Sequence, residues 1–162
     1  MARWGAGREP PPRWVLRSLW ALHRVVYAVS LGRIGLRQAG AERLGVLRLR
    51  TLGRRSGQER SSMLYYLEDG RDLAVVASNA GAPNAPAWWL NLQAAPEAFV
   101  DLSDGIHSVT GRAADAAERQ RLWSRFAGLL DDYDTYAATT ERSIPVVILE
   151  PADLSKPVRS RG

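Results

Sequence analysis

The chain has 162 residues, a formal net charge of +5 and no cysteine. That length suits a single domain with one hydrophobic core, and the missing thiols exclude disulfides, thiolate catalysis, iron–sulfur clusters and cysteine zinc sites. His23 and His107 are the two histidines and lie far apart, so no metal site is expected and redox chemistry would need an organic cofactor. Residues 1–12, with Gly5, Gly7 and Pro10-Pro11-Pro12, read as a disordered N-terminus. Residues 13–40 read as a basic amphipathic helical extension. Trp14, Leu16, Leu19, Trp20, Val26, Tyr27, Leu31 and Ile34 are its apolar members, with Arg13, Arg17, Arg24, Arg33 and Arg37 among them. Two placements stay open for this extension: the membrane interface, through residues 13–37, or packing on the domain or a partner subunit. Arginines interrupt every candidate apolar run, so neither a bilayer span nor a secretory signal is expected.

From residue 41 to 155 the pattern is that of a strand-rich domain, followed by a tail over residues 156–162. Strands are predicted at 46–51, 62–67 and 73–77, the last two joined by a turn containing Asp69-Gly70. Pro86 is placed as the first residue of a short helix over 86–93, which Pro96 prevents from continuing. Strands at 98–102 and 107–113 flank Ser103-Asp104-Gly105. Asp115 with Glu118 three residues on forms a capping box for a helix to about Leu130, with Leu122, Trp123, Phe126, Leu129 and Leu130 as its apolar face. A short helix is predicted at 133–139, and a last strand at 145–149 whose Val-Val-Ile-Leu run reads as buried on both faces. Six strands with these helical insertions suit a small barrel. His107 reads as a structural residue on a strand. The Asp131, Asp132 and Asp134 cluster reads as a solvated helix start.

Residues 51–60, Thr-Leu-Gly-Arg-Arg-Ser-Gly-Gln-Glu-Arg, stand out between the first two strands. Gly53 and Gly57 tolerate positive φ and bare the backbone N–H groups. Arg54, Arg55 and Arg60 add guanidinium forks suited to phosphate or carboxylate oxygens. Taken alone, the segment is either an anion site or a solvated basic turn. The charge around it is skewed: residues 1–60 hold thirteen arginines against three acidic residues, whereas residues 61–162 hold nine basic against fourteen acidic ones. The N-terminal part should therefore prefer anionic partners. Nucleic acid is not expected among them, because the aromatics sit in an apolar helical stripe rather than on a stacking platform.

This turn, with Leu64-Tyr65-Tyr66, the run from Val75 to Ala82, the run from Pro86 to Leu92, and the run from Arg142 to Val147, resembles in order the deazaflavin-dependent nitroreductase and quinone-reductase family. The likeness covers about two thirds of the chain. It implies an α+β fold, a six-stranded split β-barrel of the FMN-binding-like kind, preceded by the N-terminal helix. It also implies an F420H2-dependent oxidoreductase that passes a hydride from reduced coenzyme F420 to a quinone or nitroaromatic acceptor. Arg54, Arg55, Ser56, Gly57 and Arg60 would hold the cofactor's anionic tail. Met63, Tyr65, Ala77, Ser78, Pro86, Ala87, Trp88 and Asn91 would line its ring, and Asn79 is a further cofactor-binding position that bears on the tail. Trp88 and Trp89, adjacent on one helix, are expected to divide between pocket and core, with Trp88 facing the pocket. Tyr133 is the first candidate for donating a hydrogen bond or proton to the acceptor, with Ser78 and Tyr136 beside it.

The family often carries lysine where Arg55 and Asn79 stand, and aromatics where Leu130 and Thr139 stand. Those departures bear on tail grip and substrate choice. The resemblance further implies a cytoplasmic protein, with a homodimer and a peripheral position on the inner face of the cell membrane left open. Competing readings are a non-catalytic module docking on membrane or polyanion, and a barrel that binds FMN instead.

Overall fold

The computed structural model describes residues 35–130 and 132–152. The expected disorder of residues 1–12, most of the helical extension, Asp131 and the tail lie outside them. Six strands form one closed antiparallel barrel: β1 (Gly45–Leu52), β2 (Glu59–Asp69), β3 (Asp72–Val76), β4 (Glu97–Leu102), β5 (Gly105–Ala113) and β6 (Val146–Pro151). Around the barrel they follow the order β1-β2-β3-β6-β5-β4. Long pairings close it, Leu49 with Val100 and Val75 with Val147. Among the described residues three α-helices accompany the barrel: α1 (Ala87–Ala94), α2 (Ala116–Leu129) and α3 (Asp132–Ala138). Among the described residues no helix is long and apolar enough to cross a membrane.

Strand alternation builds two cores. Leu47, Leu49, Tyr66, Val75, Val100 and Leu149 point into the barrel, and Trp88, Trp89 and Leu92 of α1 join them. The outer faces of β2, β3 and β6 supply Leu67, Ala74, Val76, Val146 and Ile148, which α2 and α3 cover with Leu122, Phe126 and Tyr133. β6 thus serves both cores, which is why its sequence is apolar without alternation. The capping box of α2 is present, the Glu118 N–H donating to Asp115 Oδ1 at 2.8 Å and the Asp115 N–H to Glu118 Oε2 at 2.9 Å.

Three expectations are corrected. Pro86 is the N-cap of α1, with extended ψ of 145°, rather than its first helical residue. Trp88 and Trp89 are both 7% exposed and lie in the same core, their rings edge to face at 6.5 Å. Neighbouring helical positions are only about 100° apart, and a helix seated against a barrel buries an arc that wide. The domain begins earlier than residue 41: the chain divides between Gly35 and Leu36, and Arg37 bridges to Val46 as Gly40 does to Arg43.

Candidate functional site

Antiparallel order puts the β1–β2 turn, the β3–α1 loop and the approach to β6 at one end of the barrel. The β2–β3 and β4–β5 hairpins occupy the other end. In the first of these turns Gly57 takes φ +66°, and the chain closes through Gly57 N–H to Gly53 C=O at 2.7 Å and Gly53 N–H to Gln58 C=O at 2.8 Å. Arg54, Arg55, Ser56, Gly57 and Arg60 are all exposed. Among the described residues no carboxylate pairs with Arg54, Arg55 or Arg60, although Arg50, Arg112, Arg121 and Arg125 all have acidic partners. The N–H groups of Arg55 and Ser56 likewise find no acceptor among the described residues.

Asn91, expected beside the ring, performs a different task. It is 4% exposed on α1, where its Oδ1 accepts from the Arg54 N–H at 3.2 Å and from Arg54 Nη1 at 3.3 Å. Its Nδ2 donates to Thr51 Oγ1 at 3.1 Å. Asn91 therefore ties the basic turn to the helix through Thr51, a 2% exposed partner that the sequence reading did not single out. Two more expected ring contacts are interior. Ala77 is fully buried in the barrel core, and Trp88 offers a ligand only a small rim of its surface.

On the outer face of β2, Ser61, Met63, Tyr65 and Leu67 form one row. It leads from the basic turn to the helical layer, and Tyr65 is 42% exposed along it. At its end stands Tyr133, 6% exposed, with its ring edge to face against Phe126 at 5.3 Å and against Trp123 and Tyr136 at 6.2 Å each. Its hydroxyl has no partner among the described residues and is not sealed from solvent. Burial, with Tyr136, Tyr65 and Asp132 nearby, pushes the Tyr133 phenol well above its usual range. Tyr136 moves the same way, mainly by burial. Asp134 is occupied with the Trp123 indole at 2.9 Å, in keeping with a structural acidic cluster.

Ser78 follows β3, partly buried, with a hydroxyl that makes no capping bond. After it the backbone turns left-handed for three residues, Asn79 at φ 46°, Ala80 at 51° and Gly81 at 72°. Gly81 packs on α3: a Cβ there would strike Thr139 Oγ1 and come within 3.2 Å of the Tyr136 carbonyl oxygen. Asn79 is exposed, its Nδ2 donating to the Asn84 carbonyl at 2.9 Å, and Ala87 is exposed while Pro86 and Met63 are buried. Arg142 bridges this turn to the β6 approach, a task the sequence did not announce because its acceptors are backbone carbonyls. His107 is exposed on β5, bonded to Asp104 at 3.0 Å. With Leu73, Leu102, Ile106 and Pro151 it lines a cavity of about 330 Å³ at the opposite end of the barrel, away from every candidate site residue.

A binding group with an anionic tail and a flat ring fits this arrangement. Guanidinium groups without an acidic partner and open N–H groups sit at one end of the β2 row, and an exposed Tyr65 beside open phenols at the other. Comparisons with known proteins bear on the family and its cofactor. The family model described as F420H(2)-dependent quinone reductase matches residues 20–151. An F420H(2)-dependent quinone reductase of Mycobacterium tuberculosis is 34% identical over 144 residues, which is 85% of this chain and 95% of that protein. Among solved structures, a domain-swapped dimer superposes with a TM-score of 0.63 at 28% identity, over 87% of this chain and all of the other. An F420-H2 dependent reductase superposes with a TM-score of 0.59 at 32% identity, over 65% of this chain and 93% of the other. The chain belongs to the F420H(2)-dependent quinone reductase family, as an oxidoreductase on a split β-barrel whose cofactor is coenzyme F420.

Proposed function

We propose that the chain reduces a quinone, with the cofactor tail on the Arg54–Arg60 turn, the ring along the outer row of β2, and the acceptor under Tyr133. One observation carries this: the β2 row joins unpaired cations to unpaired phenols. Tyr65 lies five steps of strand beyond Arg60, about 17 Å of extended backbone, which suits an elongated ligand. Reduced F420 supplies the hydride when bound. Arg54, Arg55 and Arg60 hold anionic oxygens, while Asn91 and Thr51 fix the turn that carries them. Met63 and Tyr65 give the flat side of the slot.

As the acceptor gains electrons, negative charge builds on its oxygen. Tyr133 stays protonated because burial disfavours its phenolate, so it serves as a hydrogen-bond donor to that oxygen. Ser78 supplies a second hydroxyl, and Tyr136 helps exclude water. Nitroaromatics present planar acceptor oxygens to the same donors and are the alternative acceptor. Residues 13–37 would bring the protein to the inner membrane surface where lipid quinones reside, a reading supported by their aromatic and arginine content alone. Self-association is supported by the domain-swapped relative and by exposed Leu52, Phe99 and Ile106.

Fluorescence titration with F420, with FMN as control, tests the reading, followed by turnover with a soluble benzoquinone. Saturable binding that prefers the deazaflavin and weakens in Arg55→Ala is expected. Equal preference for FMN, or indifference to Arg55, would sink the placement of the tail. Sedimentation with anionic vesicles, before and after removal of residues 1–35, tests the membrane contact.

A further inference from the structure

The β3–α1 loop is the most contorted backbone described in this chain. Asn79, Ala80 and Gly81 all have positive φ, and i to i+3 bonds close the turn, Gly81 N–H to Ser78 C=O at 3.0 Å and Ala82 N–H to Asn79 C=O at 3.1 Å. For a residue with a Cβ such a conformation costs roughly 1–2 kcal/mol, and here two successive ones adopt it. Something must hold it. The Arg142 guanidinium does so: Nη2 donates to the Ser78 carbonyl at 2.6 Å and to the Ala77 carbonyl at 3.1 Å, and Nε donates to the Ala82 carbonyl at 2.9 Å. Its donors span both ends of the turn, and among the described residues no carboxylate neutralises it.

We propose that Arg142 is a positioning residue for hydride transfer, which sets Ser78 and the left-handed turn against the ring and acceptor. This rests on the placement of Ser78 in the site given above. The geometry has a second consequence. In a planar trans peptide the N–H points opposite to the C=O. With the Ala77 and Ser78 carbonyls both turned to Arg142, the N–H groups of Ser78 and Asn79 point away from the guanidinium. Ser78 has right-handed helical φ and ψ, −70° and −35°, and Asn79 has positive φ. Such a sequence aims successive N–H groups in one direction. Arg142 thus fixes two backbone donors and the main chain that carries the Ser78 hydroxyl, and its single planar fork does what a lysine point charge does only in part.

The test compares Arg142→Met and Arg142→Lys with the unaltered protein in F420 titration, steady-state turnover, circular dichroism and amide exchange at Gly81 and Ala82, whose N–H groups close the turn. Arg142→Met is expected to keep its fold, lose protection at those amides, and lower kcat by about 10- to 100-fold, the scale set by misplaced reacting groups. Arg142→Lys, and millimolar guanidinium added to Arg142→Met, should each restore part of kcat. Unchanged turnover and exchange in Arg142→Met would overturn the proposal. So would a loss that tracks unfolding and that neither lysine nor guanidinium repairs. If the unaltered protein itself does not bind F420, the site reading fails, and exchange at Gly81 and Ala82 still decides whether Arg142 holds the turn.

Discussion

Tyr133 combines a ring locked by three aromatic neighbours with a hydroxyl left open, a combination suited to aiming one donor. Tyr133→Phe keeps the ring packing and should lower quinone turnover roughly 100-fold, the scale of losing one such donor, with little change in F420 affinity. Steady-state kinetics beside a binding titration separates the two effects. Asn91→Ala should do the reverse. It strands the Arg54 N–H and the Thr51 hydroxyl, costs about 1–3 kcal/mol in urea unfolding, and weakens F420 binding while sparing the chemical step. Gly81→Ala meets both a positive φ and Thr139 Oγ1. It should lower the Tm, and a second change, Thr139→Ala, should recover the steric part only. The arginines of the basic turn and Tyr133 are legible in the sequence because exposed cations and a family-matched phenol announce their chemistry. The structural tasks of Asn91 and Arg142 are not, since their partners lie 37 to 65 residues away and are mostly main-chain groups.

At the level of elements, α2 is fastened to the barrel by a charged junction. Arg112 on β5 donates through Nη1 to Glu118 Oε2 at 2.7 Å and through Nε to Glu150 Oε1 at 2.6 Å. Arg112 holds the Glu118 carboxyl down at about 2 from its usual 4.5, with help from the Asp115 N–H. A carboxylate depressed on folding stabilises the native state above its unfolded pKa, and that contribution fades as pH falls from 4.5 towards about 2. Glu118→Gln should therefore lower the Tm near neutrality and flatten its fall over that acid range, as thermal melts across pH will show. Strands, hairpin turns and the α2 cap were legible here, because alternation, Asp-Gly and Asp-x-x-Glu are local signals. The strand order was not. β6 inserts between β3 and β5 and β1 returns to β4, pairings fixed by burial across distant segments.

Over the whole molecule, charge is apportioned by place. Among the described residues Arg48, Arg50, Arg112, Arg121 and Arg125 face acids, whereas Arg54, Arg55 and Arg60, which face none, stand together at the basic turn. F420 affinity should fall with added salt and lose part of that dependence in Arg54→Ala/Arg55→Ala, as titrations at several ionic strengths will show. The tether from Asn91 to Arg54 and Thr51 also governs the order in which function appears during folding. The β1–β2 hairpin is local, yet its turn is completed by a helix that follows β3 and lies 37 residues further on. In refolding kinetics, β-sheet circular dichroism should recover before F420 binding does. A newly made chain would own its barrel before it could hold its cofactor.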